Sequence, residues 1–100
     1  MSARLPIDRE AVGDFCRRNH IRRMALFGSV LRDDFRPDSD VDVLVEFAPE
    51  TRIGLMGFAG LQIELSEMLG RNVDLNTAED LSRYYRDEVA KSAEVVYATA

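Results

Sequence analysis

The chain has 100 residues, of which 46% are hydrophobic and 31% charged, and a formal net charge of −5. That length suits one small domain over residues 1–100, and the balance of apolar and charged residues excludes a disordered or fibrous chain. The acidic balance argues against a general nucleic-acid surface, which needs a basic face, but not against a nucleotide whose phosphates a metal neutralises. Cys16 is the single cysteine, so neither an internal disulfide nor a cysteine-based zinc site can form, and its apolar neighbours make it a core residue. Residues 1–6 hold no apolar stretch of signal length, and no run approaches a membrane span. A cytoplasmic chain with no membrane partner is expected.

Asp8 reads as an N-cap, with Glu10 in the first turn of a helix whose apolar face is Ala11, Val12, Phe15 and Cys16. Met24-Ala25-Leu26-Phe27 is a short apolar run stopped by Gly28, the pattern of a buried strand. Ser29 to Arg32 forms one helical turn in this reading, and Asp33 to Ser39 a polar loop. Val41, Val43, Val45 and Phe47 alternate with Asp42, Leu44 and Glu46, which predicts a strand with two distinct faces. From about Gly54 to Leu69 the pattern is helical, with Phe58, Leu61, Leu65 and Met68 on one stripe and Gly70 as the C′ residue. Val73 to Asn76 reads as a short strand. Thr77 to Asp80 approximates a capping box, opening a helix through Leu81, Tyr85 and Val89. Glu94 to Tyr97 closes the sheet as an edge strand. The expected fold is α+β, with helices packed against a small mixed β-sheet.

Two features carry chemistry. A Gly28-Ser29 turn between a buried strand and a helical turn exposes backbone N–H groups and a hydroxyl, a ready anion site. Asp40 and Asp42 stand two residues apart on a strand, so they share one face roughly 7 Å apart. Carboxylates that close repel unless a cation lies between them, and a hard divalent ion bearing polyphosphate satisfies both features. A calcium loop starting at Asp38 is the competing metal reading. It fails because Val43 stands where that loop needs glycine and Pro49 where it needs glutamate.

Gly28, Ser29, Asp40 and Asp42 match, without a gap, the Gly-Ser-x10-Asp-x-Asp signature of the DNA polymerase beta-like nucleotidyltransferases, which the chain resembles over nearly its whole length. Arg32, Ser39 before Asp40, and the Val43-Leu44-Val45 run after it also fit. The Gly70-to-Leu75 segment, a following helix and a closing Val96-Tyr97 resemble the minimal nucleotidyltransferase (MNT) branch. The resemblance implies that fold, and Asp74 as a third carboxylate beside Asp40 and Asp42. These three would be catalytic and would bind Mg²⁺, two ions in all, with Gly28, Ser29 and Arg32 holding the phosphates of ATP. Only 26 residues follow Asp74, so the acceptor must be small or presented by another protein. Minimal nucleotidyltransferases are commonly antitoxins that transfer AMP from ATP to a tyrosine hydroxyl of a HEPN-domain RNase toxin, and the resemblance implies the same here. Two alternatives stand beside it: a binding antitoxin that neutralises by occlusion, and a free-standing enzyme acting on a small hydroxyl compound.

Several residues carry two readings. His20 suits a surface or capping role better than that of a base. Arg17, Arg18, Arg22 and Arg23 are a solvated face or a docking patch for an acidic partner. Tyr84 and Tyr85 could stack a base or fill the core, and Arg83 and Arg86 could reach phosphate or pair with Glu79 and Asp87. Met56 and Ile63, one heptad apart with Gly60 between them, mark either a broadly buried helix or a flank that meets a partner. Self-association is left open.

Overall fold

A computed structural model describes residues 7–28, 40–77, 87, 91 and 93–99. Its elements are α1 (Arg9–Arg18), β1 (Ile21–Phe27), β2 (Val41–Phe47), α2 (Leu55–Leu69), β3 (Val73–Asn76) and β4 (Glu94–Ala98). The strands form one mixed sheet in the order β3-β2-β1-β4. β1 is antiparallel to both β2 and β4, while β2 and β3 are parallel and joined through α2. The α+β expectation holds. The predicted turn at Ser29–Arg32, the loop at Asp33–Ser39 and most of the helix through Leu81 and Tyr85 lie outside the described residues. Asp87 and Lys91, described within that last stretch, are helical.

α1 begins as its sequence predicts. The Asp8 carboxylate accepts from the backbone N–H groups of Glu10 and Ala11, each at 3.1 Å, which satisfies two of the donors a helix start leaves open. At the other end the Asn19 side-chain amide donates to the Phe15 carbonyl at 2.8 Å. His20 then turns the chain in the left-handed region (φ 58°), and its carbonyl accepts from the Ala48 N–H at 2.8 Å. His20 is exposed and serves through its backbone, in keeping with a capping role.

β1 starts three residues earlier than the apolar run from Met24 implies. Ile21 is buried, Arg22 and Arg23 are both exposed, and the register with β2 shifts between Ile21 and Arg23. A bulge puts two consecutive residues outside, so strict alternation is lost and the run looks shorter than the strand. Arg22 is held in an ion pair with Glu46 at 2.7 Å, and Arg18 of α1 with Glu64 at 2.9 Å.

The core lies between one face of the sheet and the two helices. α1 packs on β1 and β4, and α2 on β3. Val41, Val43 and Val45 are fully buried there with Phe15, Cys16, Met24, Leu26 and Leu65. That alternation of valines decides which way the β2 carboxylates face. Leu61 and Leu65 anchor α2 in this core, Phe58 and Met68 pack at its margin, and Gly70 ends the helix with φ 68°.

Burial pushes the Cys16 thiol up to about 12, against a smaller lowering by Arg17. The folded chain therefore holds this proton more tightly than the unfolded one. Its stabilising contribution is complete below the ordinary thiol pKa of about 8.5 and is lost as pH rises toward about 12. Urea unfolding from pH 8 to 11 should show stability falling more steeply for the natural chain than for Cys16→Ala. Iodoacetamide should label Cys16 only after denaturation.

Candidate functional site

The strand directions build the site. Because β1 is antiparallel to β2 and β3 parallel to it, the chain leaves β1 at the sheet end where it begins β2 and β3. That end gathers Gly28, Asp40, Asp42 and Asp74. Phe27 pairs with Asp42, and Asp42 pairs with Asp74 in the parallel register. Paired residues on adjacent strands lie about 5 Å apart and point the same way. Asp42 and Asp74 therefore stand side by side on the face turned away from the valines. Asp42 is half-buried, and Asp40 and Asp74 are exposed. A bond from the Val41 N–H to the Asn72 carbonyl, 2.8 Å, ties the starts of β2 and β3 together.

Gly28 is needed at its position for two reasons. Its φ of 76° lies in the left-handed region, and a Cβ there would collide with the Asp42 carboxylate oxygen and sit 3.2 Å from its carboxyl carbon. The backbone of the turn is thus pressed against the second carboxylate. A left-handed glycine backbone beside a carboxylate can serve an anion and a cation held together.

Among the described residues, no three His, Cys, Asp or Glu side chains are already gathered as an ion-holding cluster. The chemistry of the donors still fits a hard divalent cation: they are carboxylate oxygens alone, with neither thiolate nor imidazole beside them. Ser29 and Arg32, with Tyr84, Tyr85, Arg83 and Arg86, lie outside the described residues.

An open cleft of about 510 Å³ runs along the outer side of β3, lined by Asp40, Gln62, Ile63, Ser66 and Asp74 among others. Asp40 and Asp74 are the sequence-predicted residues in it; Gln62 and Ser66 were not foreseen. β3 is an outer strand, and two of its N–H groups are taken up by α2. Val73 donates to Ser66 Oγ at 3.0 Å and Leu75 to Gln62 Oε1 at 2.9 Å, while Ser66 Oγ donates to the Gln62 carbonyl at 2.8 Å. Four helical residues advance about 6.0 Å and two strand residues about 6.6 Å, so an i, i+4 pair matches an i, i+2 pair. The two bonds bracket Asp74 and fix the backbone that carries it. The signal was present: Gln62 is the first polar side chain of α2, and Ser66 follows it one turn later.

A four-stranded sheet in this order, with two helices on one face and three aspartates beside a glycine at one end, defines an α+β protein of mixed-sheet architecture. The sequence model of the nucleotidyltransferase domain matches residues 8–96, and the chain belongs to that family. It is 38% identical over 79 residues to the protein adenylyltransferase MntA of Thermococcus cleftensis, an alignment covering 77% of this chain and 74% of the relative. Its fold is similar to a chain in the crystal structure of a toxin–antitoxin with AMP-PNP (TM-score 0.75, 20% identity, 93% of this chain and 75% of that one). It is also similar to a chain in the complex of tri-AMPylated Shewanella oneidensis HEPN toxin with MNT antitoxin (TM-score 0.66, 19% identity, 91% and 70%).

Two substitutions test this geometry. Ser66→Ala should cost about 1–3 kcal/mol by leaving the Val73 N–H without its acceptor, measured by urea unfolding. Gly28→Ala should cost at least about 1 kcal/mol in backbone strain alone. Its penalty should shrink in an Asp42→Ala background, which removes the obstructing carboxylate, and a double-mutant cycle reads that coupling.

Proposed function

We propose that the chain is an antitoxin that transfers AMP from ATP to a hydroxyl, a tyrosine hydroxyl by resemblance, on a cognate HEPN-domain toxin. The observation that carries this reading is the alignment of Asp42 with Asp74 beside a glycine turn that touches the Asp42 carboxylate. The MntA relative and the AMPylated-toxin complex support the reaction and the partner.

In this reading Asp40, Asp42 and Asp74 would hold Mg²⁺, which would supply charge to offset the phosphates and lower the pKa of the acceptor hydroxyl. Gly28 presents its backbone to the terminal phosphates, with Ser29 and Arg32 following it in sequence as further phosphate contacts. The acceptor oxygen forms a bond to the α-phosphorus as the bond to the β-phosphate bridging oxygen breaks. Pyrophosphate leaves with that electron pair, and the hydroxyl proton is released to solvent. The chain's own contribution is placement and charge rather than a covalent intermediate.

Incubating the chain with ATP, Mg²⁺ and the cognate toxin should raise the toxin's intact mass by one or more AMP units. Asp42→Asn should reduce the initial transfer rate by about 100-fold or more. A gain equal to phosphate would overturn the nucleotidyl reading. Full neutralisation at equal stoichiometry by a folded Asp40→Ala, Asp42→Ala double variant would favour occlusion instead.

A further inference from the structure

Asp74 stands exposed on a strand of four residues at the margin of the sheet. Successive N–H groups of a strand point to opposite edges. The N–H groups of Val73 and Leu75, on either side of Asp74, point away from β2 and toward α2. A strand so short, bonded along one edge only, opens readily.

α2 closes the other edge with two side chains of different length. Ser66 Oγ accepts from the Val73 N–H at 3.0 Å, close to residues 70–72, which join helix to strand. Gln62 Oε1, one helical turn further from that junction, accepts from the Leu75 N–H at 2.9 Å. The short side chain serves where the two elements meet, and the long one serves further along. Ser66 is itself held from two directions. Its hydroxyl donates to the Gln62 carbonyl at 2.8 Å, and its own carbonyl accepts from the Arg71 N–H at 3.2 Å.

The setting of both acceptors comes from the core. Gln62 follows directly after Leu61 and Ser66 after Leu65, and both leucines are buried. Adjacent residues lie about 100° apart around a helix, so packing of the leucines fixes the rotation at which the polar pair meets β3. Met56 and Ile63, 89% and 60% exposed, occupy the remaining flank.

We propose that Gln62 and Ser66 are positioning residues for the carboxylate site: they hold Asp74 level with Asp42, so that both carboxylates can share one cation. This inference rests on the reading of Asp74 as a Mg²⁺ carboxylate in the proposed AMP transfer. Neither residue touches the cation in that reading; each acts through a backbone N–H next to Asp74. A carboxylate on an unsecured strand must be ordered each time a cation binds, and that ordering weakens the binding.

The test compares the full chain with Gln62→Met, which keeps the side-chain length without the oxygen, and with Ser66→Ala and Ser66→Thr. Val12→Ala, a core change in α1, controls for lost stability alone. At a temperature where circular dichroism shows each protein folded, Mn²⁺ binding with AMP-PNP present is read by electron paramagnetic resonance. Affinity should fall about 10-fold or more in Gln62→Met and Ser66→Ala. It should be kept in Ser66→Thr, which retains the hydroxyl, and in Val12→Ala. The Mg²⁺ concentration for half-maximal AMP transfer should rise in the same two variants. Unchanged Mn²⁺ affinity in Gln62→Met and Ser66→Ala, or a loss as large in Ser66→Thr or Val12→Ala, would overturn the proposal. A natural chain that binds no Mn²⁺ would overturn it together with the reading it rests on. Weaker Mn²⁺ binding in the two variants, with no AMP transfer by the natural chain, would uphold the positioning role while removing the proposed reaction.

Discussion

The parallel pairing of β2 with β3 is the constraint on which the rest of the molecule depends. It sets Asp42 beside Asp74, and it does so only because Val41, Val43 and Val45 must be buried on the other face. A slip of one residue would turn the valines to solvent and the carboxylates into the core. The hydrophobic effect thus specifies the position of charged groups it never touches. The core costs nothing extra to place the carboxylates; the period of the strand does it.

α2 secures this arrangement from the side. Ser66 and Gln62 accept the outward N–H groups of Val73 and Leu75, so β3, only four residues long, is held on both edges. A strand that short is weakly specified by its own pairing. Its second set of hydrogen bonds fixes the backbone that carries Asp74. The helix performs this task with one flank, fills the core with another and leaves a third apolar and uncovered.

Much of this was legible in the sequence because local signals agreed with the fold. Asp8 capped the helix it announced, Gly70 ended α2, and the alternation from Val41 to Phe47 gave both the strand and the outward Asp42. The glycine of the Gly-Ser turn was read as an anion site. Its contact with Asp42 could not be read, since that depends on β1 and β2 coming together across an intervening segment. Three things escaped. The bulge near Arg22 and Arg23 hid the first half of β1 because it breaks the two-residue period. The bonds from Gln62 and Ser66 to β3 are long-range matches of helical and strand spacing, which no single periodicity reveals. The exposure of Met56 and Ile63 followed from neither residue type nor pattern, because an apolar helix looks the same in sequence whether it is enclosed or open to solvent.

The side-chain bonds along β3 have a bearing on how this molecule behaves when concentrated. The rim of a sheet normally offers a template for another strand, and here the β3 rim is already occupied by a helix of the same chain. On the opposite rim Arg9 donates to the Val96 carbonyl at 3.4 Å, so that side too is partly engaged. Strand-by-strand growth into fibrils finds the β3 margin already taken. Association is thereby steered toward faces, where geometry can discriminate between partners, and away from backbone ladders, which accept almost any sequence.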